Sequence, residues 1–219
     1  MDLLETIDAM IDGRHLLTHP FYRSWVAGTL PPDALQEYAR QYYAFESSFP
    51  RVLSALHSRS DQAEVRQALL ENLWDEEHGD SNHQELWLRF AEGIGVDREE
   101  VLGARRNEAT GSLVQSYLDA AREAPVAAGV AAVYAYERQV PAVAQAKLDG
   151  LRRRYGITDA RTLGFFETHA VLDVEHSEAE RRIVAERGPG HEDEVIKATE
   201  SALEAWWGFL DAVTPPEGE

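Results

Sequence analysis

The chain has 219 residues, 44% of them hydrophobic, with Lys+Arg 21 against Asp+Glu 39 and a net charge of −18. That balance argues against a general nucleic-acid or anionic-membrane surface, and the absence of cysteine excludes disulfides, thiolate ligands and a cysteine nucleophile. The N-terminal stretch is acidic and lacks the basic and apolar regions of a signal peptide, and no apolar run approaches the roughly 20 residues of a membrane span, so the expected location is the cytoplasm.

In chain order, Leu3, Leu4, Ile7, Met10 and Ile11 recur at helical spacing and predict a first helix that weakens at Gly13. Thr18-His19-Pro20 opens a short helix carrying Phe21, Tyr22 and Trp25. Pro31-Pro32-Asp33 is a break that starts the next helix. From Asp33 to about Ser58 the apolar positions Leu35, Tyr38, Tyr42, Phe45, Phe49, Val52 and Leu56 step by three or four, with a kink expected at Pro50. Glu46 lies four residues after Tyr42, on the apolar side. It reads as a residue at the edge of the stripe, or alternatively as a partner of an internal polar site. Asp61 to Ala91 is helical throughout, with Gly79 a candidate bend or break, and Gly93-Ile94-Gly95 ends it. A short helix with an acidic first turn follows at Asp97-Arg98-Glu99-Glu100. Asn107 to about Ala124 is another helix. Pro125 opens the next, running to about Arg154. Thr158 is placed to cap a helix ending at Gly188-Pro189-Gly190, and His191 to Val213 is the last. The tail from Pro215 to Glu219 is expected to be loose. No segment alternates with period two, and no linker splits the chain. The reading is all-α: a single helical bundle of seven to eight helices in one domain over residues 1–219.

Three segments carry chemistry. On the helix through Phe165 to Arg181, His169, Asp173 and His176 fall at about 0°, 40° and −20° around the axis, one narrow stripe. Two imidazoles and a carboxylate there need a partner if they are buried, and a metal ion satisfies all three. On the Glu71 to Trp87 segment, Glu76 and His83 are seven residues apart and share a face, provided the helix is continuous through Gly79. Asp80, three residues before His83, is the rival acid. On the Val133 to Leu148 segment, Glu137 is an acid at the end of an uncharged, alanine-rich stretch. Glu76, His83, Glu137, His169, Asp173 and His176 together form an oxygen and nitrogen donor set without sulfur. It suits iron or manganese and is also able to hold zinc. Inward acids and acid-x-x-His pairs on facing helices are the logic of di-iron carboxylate bundles, and Asp173-x-x-His176 is an aspartate version of that pair.

The segments HPFYRSW, LQEYARQYYAFESSFPRVLSALHSR, EEHGDSNHQELW, YAYERQVP and HAVLDVEHSE resemble the haem-oxygenase-like di-metal oxidases, the group that includes the TenA and PqqC proteins. Within that group the chain is most similar to the CADD-like para-aminobenzoate synthases, over nearly its whole length. The resemblance implies a haem-oxygenase-like bundle with a dinuclear site (Fe/Fe or Fe/Mn) at the six donors, and it favours Glu76 over Asp80. It implies synthesis of para-aminobenzoate, a folate precursor, from the protein's own side chains with dioxygen as co-substrate, in about one turnover. Tyr22 matches the sacrificed ring, Tyr38 a second site tyrosine and Lys147 the nitrogen donor. Tyr136 also fits the pattern. An external reductant and a homodimer are implied by the resemblance alone. From the residues themselves, Tyr22 and Tyr38 read as core tyrosines. Lys147, ten residues after Glu137 and about −80° around a continuous helix, borders the same cavity. The competing reading is an oxidase of the same fold acting on an external small molecule, such as a fatty acid or amino acid. A thiaminase chemistry lacks its cysteine, a cofactor-free oxidase leaves six polar side chains converging on nothing, and a partner-binding protein needs no internal donor set.

Overall fold

The computed structural model describes residues 2–215, so the tail expected to be loose at residues 216–219 lies outside the described residues. Among the described residues there are twelve α-helices, one 3-10 turn and no strand. The helices are α1 Leu3–Gly13, α2 Pro20–Ala27, α3 Pro32–Glu46, α4 Phe49–Arg59, α5 Ala63–Glu77, α6 His83–Gly93, α7 Arg98–Leu102, α8 Glu108–Glu123, α9 Val126–Glu137, α10 Val140–Arg153, α11 Ala160–Arg187 and α12 Glu192–Val213. The all-α class agrees with the sequence reading, but the count of seven to eight is too low. Three stretches read as single helices are each broken in two, one of them at Gly79, where a bend or break was expected. The 33–58 stretch breaks at Ser47-Ser48, so Pro50 sits in the first turn of α4, where its missing N–H is harmless, instead of kinking a long helix. The 61–91 stretch breaks between His78 and Asn82, with Gly79 at φ +81° and the Asn82 side chain accepting from Glu85 N at 3.0 Å to start α6. The 125–154 stretch breaks at Arg138-Gln139, and Pro141 falls in the first turn of α10.

The other boundaries follow local capping. Asp2 and Glu5 close a capping box on α1. The helix expected to be capped by Thr158 is capped one residue later, by the Asp159 carboxylate accepting from Thr162 N at 2.9 Å. A carboxylate is the stronger acceptor and also suits the positive end of the dipole.

α9 is apolar on all sides and buried from Ala127 to Glu137, as a central helix must be. α12 and α11 pack on it, and α11 in turn carries α10 and α6. A Cβ at Gly93 would overlap the Thr162 side chain, so glycine there lets α6 lie close on α11. Trp25, Trp87 and Trp206 fill the interior with Tyr38, Tyr42, Tyr117 and five fully buried phenylalanines. Among the described residues no helix is long and apolar enough to cross a membrane.

Candidate metal centre

All three helix breaks fall beside a candidate donor. Glu46 is the last residue of α3, Glu137 the last of α9, and Glu76 the penultimate residue of α5, while His83 opens α6. The acids therefore sit at helix C-termini, where the backbone dipole disfavours negative charge. All three are buried, with only 2–4% of their surface exposed. Buried acids at the wrong end of three helices need either a proton or a cation to neutralise them.

α11 supplies the remaining donors from one uninterrupted 28-residue helix. His169 and Asp173 are buried and His176 lies at the rim. His169 Nδ1 donates to the Phe165 carbonyl at 2.8 Å, an assignment forced by a carbonyl that can only accept. This leaves Nε2 as a free lone pair, the usual second partner of a metal-ligating histidine. Burial lowers the His169 and His83 imidazoles below their ordinary range, so both are neutral and able to ligate. Their ring centroids are 4.3 Å apart.

Glu76 Oε1 lies 2.9 Å from His83 Nδ1, yet that nitrogen lacks the alignment of a hydrogen bond. Such a spacing is what two neighbouring ligands adopt around one ion, since donors at about 2.1 Å and right angles are about 3 Å apart. The contact was expected from a shared helix face. It arises instead across the Gly79 turn, which brings the end of α5 against the start of α6. Asp80 is exposed on that turn, so the structure brings Glu76 and not Asp80 to the cluster. His176 Nε2 pairs with Asp75 Oδ2 at 3.1 Å, and its Nδ1 is 3.8 Å from Asp173 Oδ1 with no hydrogen bond of its own. Both Glu137 oxygens accept from Asn72 Nδ2, at 2.9 and 3.1 Å.

Two acids of the cluster were missed or undervalued from the sequence. Glu46, read there first as an edge residue and alternatively as a partner of an internal polar site, is buried, and one of its oxygens forms a group with ring nitrogens of His83 and His169, all within 4.8 Å of one another. Glu180 is buried against Glu137, and no donor from any other residue reaches either of its oxygens. It lies four residues after His176 and seven after Asp173, so extending the α11 stripe by one turn would have found it. Asn72, four before Glu76 on α5, was open to the same reasoning. Glu46, Glu76, Asp173 and Glu180 are all held well above the usual carboxylate range, first by burial and then by neighbouring acids. Unpartnered oxygens on Glu46, Glu76 and Glu180 beside neutral imidazoles fit a metal-holding cluster.

The second group lies alongside. Lys147 Nζ donates to Tyr38 Oη at 2.7 Å, and Tyr38 Oη is 3.3 Å from Tyr22 Oη. The lysine nitrogen sits 5.0–5.8 Å from the ring centroids of Tyr22, Trp25, Tyr38, Tyr42 and Phe166. Burial drives its ammonium down to about 7. The angular argument for Lys147 fails because the helix breaks at Arg138-Gln139, but its position on the cavity is found. Tyr22, Lys147, Tyr136 and His169 all line one enclosed cavity of about 10 Å³. Tyr136 also bonds the Tyr42 hydroxyl.

A family of proteins described as iron-containing redox enzymes matches residues 36–207. A 4-aminobenzoate synthase of Chlamydia muridarum is 38% identical over 216 residues, covering 99% of this chain and 92% of that protein. One of Nitrosomonas europaea is 39% identical, covering 95% and 89%. Among solved structures, a TenA homologue of Pseudomonas syringae pv. tomato superposes with a TM-score of 0.83 over 96% of this chain and 90% of that one, at 16% identity, which speaks to the fold alone. By these matches the chain belongs to the iron-containing redox enzymes of haem-oxygenase-like fold and, within them, to the 4-aminobenzoate synthases.

Proposed function

We propose that this chain makes 4-aminobenzoate (para-aminobenzoate) for folate synthesis in an oxygen-dependent oxidation that consumes its own Tyr22 and Lys147. Two metal ions, Fe/Fe or Fe/Mn, are held by Glu76, His83, Glu137, His169, Asp173 and His176. When bound, they supply dioxygen activation and electron transfer, chemistry that side chains alone do poorly. The observation that carries the reading is the shared cavity: the Tyr22 ring, the Lys147 amine and the His169 imidazole border one enclosed space. Its volume of about 10 Å³ is room for roughly one water. A substrate already attached to the chain needs no larger pocket, whereas a fatty acid or amino acid from outside does.

The chain's own residues have definite parts. Lys147, lowered to about 7, carries a substantial neutral fraction at physiological pH, and only the neutral amine has a lone pair to give. Tyr38 accepts from that amine and also meets Tyr22, which fixes the order amine, phenol, phenol. Burial holds both phenols well above their ordinary range, so they stay protonated and are able to pass a proton between Lys147 and Tyr22. The surrounding aromatic rings exclude water. Lys147 and the Tyr22 ring are each spent once, which limits the protein to about one turnover. The cytoplasm, an external reductant and a homodimer complete the reading, with neither nucleic acid nor membrane as partner.

Growth of a para-aminobenzoate auxotroph expressing this chain is the direct test. Rescue is expected from the native sequence and not from Tyr22→Phe. Mass spectrometry after reduction and oxygen exposure should show loss at Tyr22 and Lys147. Intact residues beside a metal-loaded site would instead point to an external substrate.

A further inference from the structure

The six donors leave two buried carboxylates, Glu46 and Glu180, without a role, and only Glu46 faces histidines of the set. Glu46 ends α3 and is 3% exposed, and its Oε1 has no hydrogen-bond partner. Burial, and then Glu76, hold its carboxyl well above the usual carboxylate range. Its carboxylate, His83 and His169 come from three different helices, α3, α6 and α11, and their donor atoms converge to within 4.8 Å of one another. Ligands at about 2.1 Å around one ion are about 3 Å apart when adjacent and about 4.2 Å when opposite, so these three close on a common ion with small side-chain movements. Three features agree: a buried orphan oxygen, two imidazoles facing it, and a helix C-terminus that repels an uncompensated acid.

We propose that Glu46 is a metal ligand, giving a carboxylate oxygen to the same ion that His83 and His169 hold. The inference rests on the dinuclear reading above and adds a seventh donor to it. It separates the cluster into a Glu46, Glu76, His83 and His169 end and a Glu137, Asp173 and His176 end. Tyr42, on the same helix, then ties the ligand to the Tyr136 hydroxyl.

Metal-free protein, titrated anaerobically with Co(II), gives a readout independent of activity. Wild type, Glu46→Gln and a Glu76→Ala, His169→Ala control are compared by uptake and by the intensity of the visible Co(II) bands. In Glu46→Gln one ion should bind about 100-fold or more weakly, beyond the roughly 10- to 100-fold effect of outer partners, and its Co(II) spectrum should change. The other ion should be retained. A superimposable spectrum in Glu46→Gln overturns the proposal and leaves the dinuclear centre standing. Wild type that takes up no more Co(II) than the double-alanine control overturns both. Should Glu46→Gln fail to fold, wild-type crystals soaked in Mn(II) answer directly. A Glu46 oxygen on the order of 2 Å from the ion that His83 and His169 share is expected, and separation beyond about 3.5 Å refutes the assignment.

Discussion

At the scale of single residues, burial decides which groups are chemically available. Lys147 has an ordinary value of 10.5 and is driven down to about 7. Between those values the unfolded chain binds a proton that the folded chain does not, so stability rises with pH across that window and the penalty is complete below it. Metal-free protein should therefore show a urea midpoint that climbs between about pH 7 and pH 10, and Lys147→Met should remove this residue's part of the climb. Equal slopes in the two proteins would mean that the lysine is solvated. Glu180 gives the converse test. Its oxygens face other acids and burial holds it well above the usual carboxylate range, so Glu180→Gln keeps the shape and a donor to Glu137 while removing the cost of keeping a buried acid protonated at neutral pH. The metal-free variant should gain about 1–3 kcal/mol, the usual penalty of an unsatisfied buried group, read by denaturant unfolding. An unchanged or lower midpoint would show that Glu180 is satisfied by a contact the geometry does not reveal.

At the scale of elements, the site is built where helices stop. The breaks after Glu46, Glu77 and Glu137 carry donors or sit next to them, whereas α11 runs through the site intact and contributes three by spacing alone. The α5–α6 turn depends on Gly79 at φ +81°, with nothing within 4 Å of an added Cβ. Gly79→Ala should thus act through the backbone only, lowering stability by roughly 1–2 kcal/mol. It should also weaken metal uptake by loosening Glu76 against His83. A normal melting curve with normal uptake would show that the turn does not position the pair. The helix class, the approximate outer boundaries and the α11 stripe were legible in the sequence because they are local. Two of the breaks were not, because Ser47-Ser48 and Arg138-Gln139 interrupt no apolar periodicity, while Gly79 marked a bend or break without saying which.

At the scale of the whole molecule, a cluster of buried acids makes the fold dependent on what neutralises it. Each ion present at 100 times its dissociation constant should add about 2.7 kcal/mol to stability. Calorimetry with Fe(II) or Mn(II) should show a raised midpoint that a chelator reverses. A midpoint indifferent to either metal would count against the cluster as a metal site. The sequence by itself determined an all-α chain, a donor stripe on one helix and acids and imidazoles of the right chemistry elsewhere, since helical spacing and side-chain type need no tertiary information. Only the tertiary structure decided which acids meet. Glu76 reaches His83 around a turn and not along a helix face. Glu46 comes in from α3 to stand beside histidines 37 and 123 residues further along the chain. Such convergence depends on where packed helices end, and apolar periodicity records which face of a helix is buried but not what that face meets.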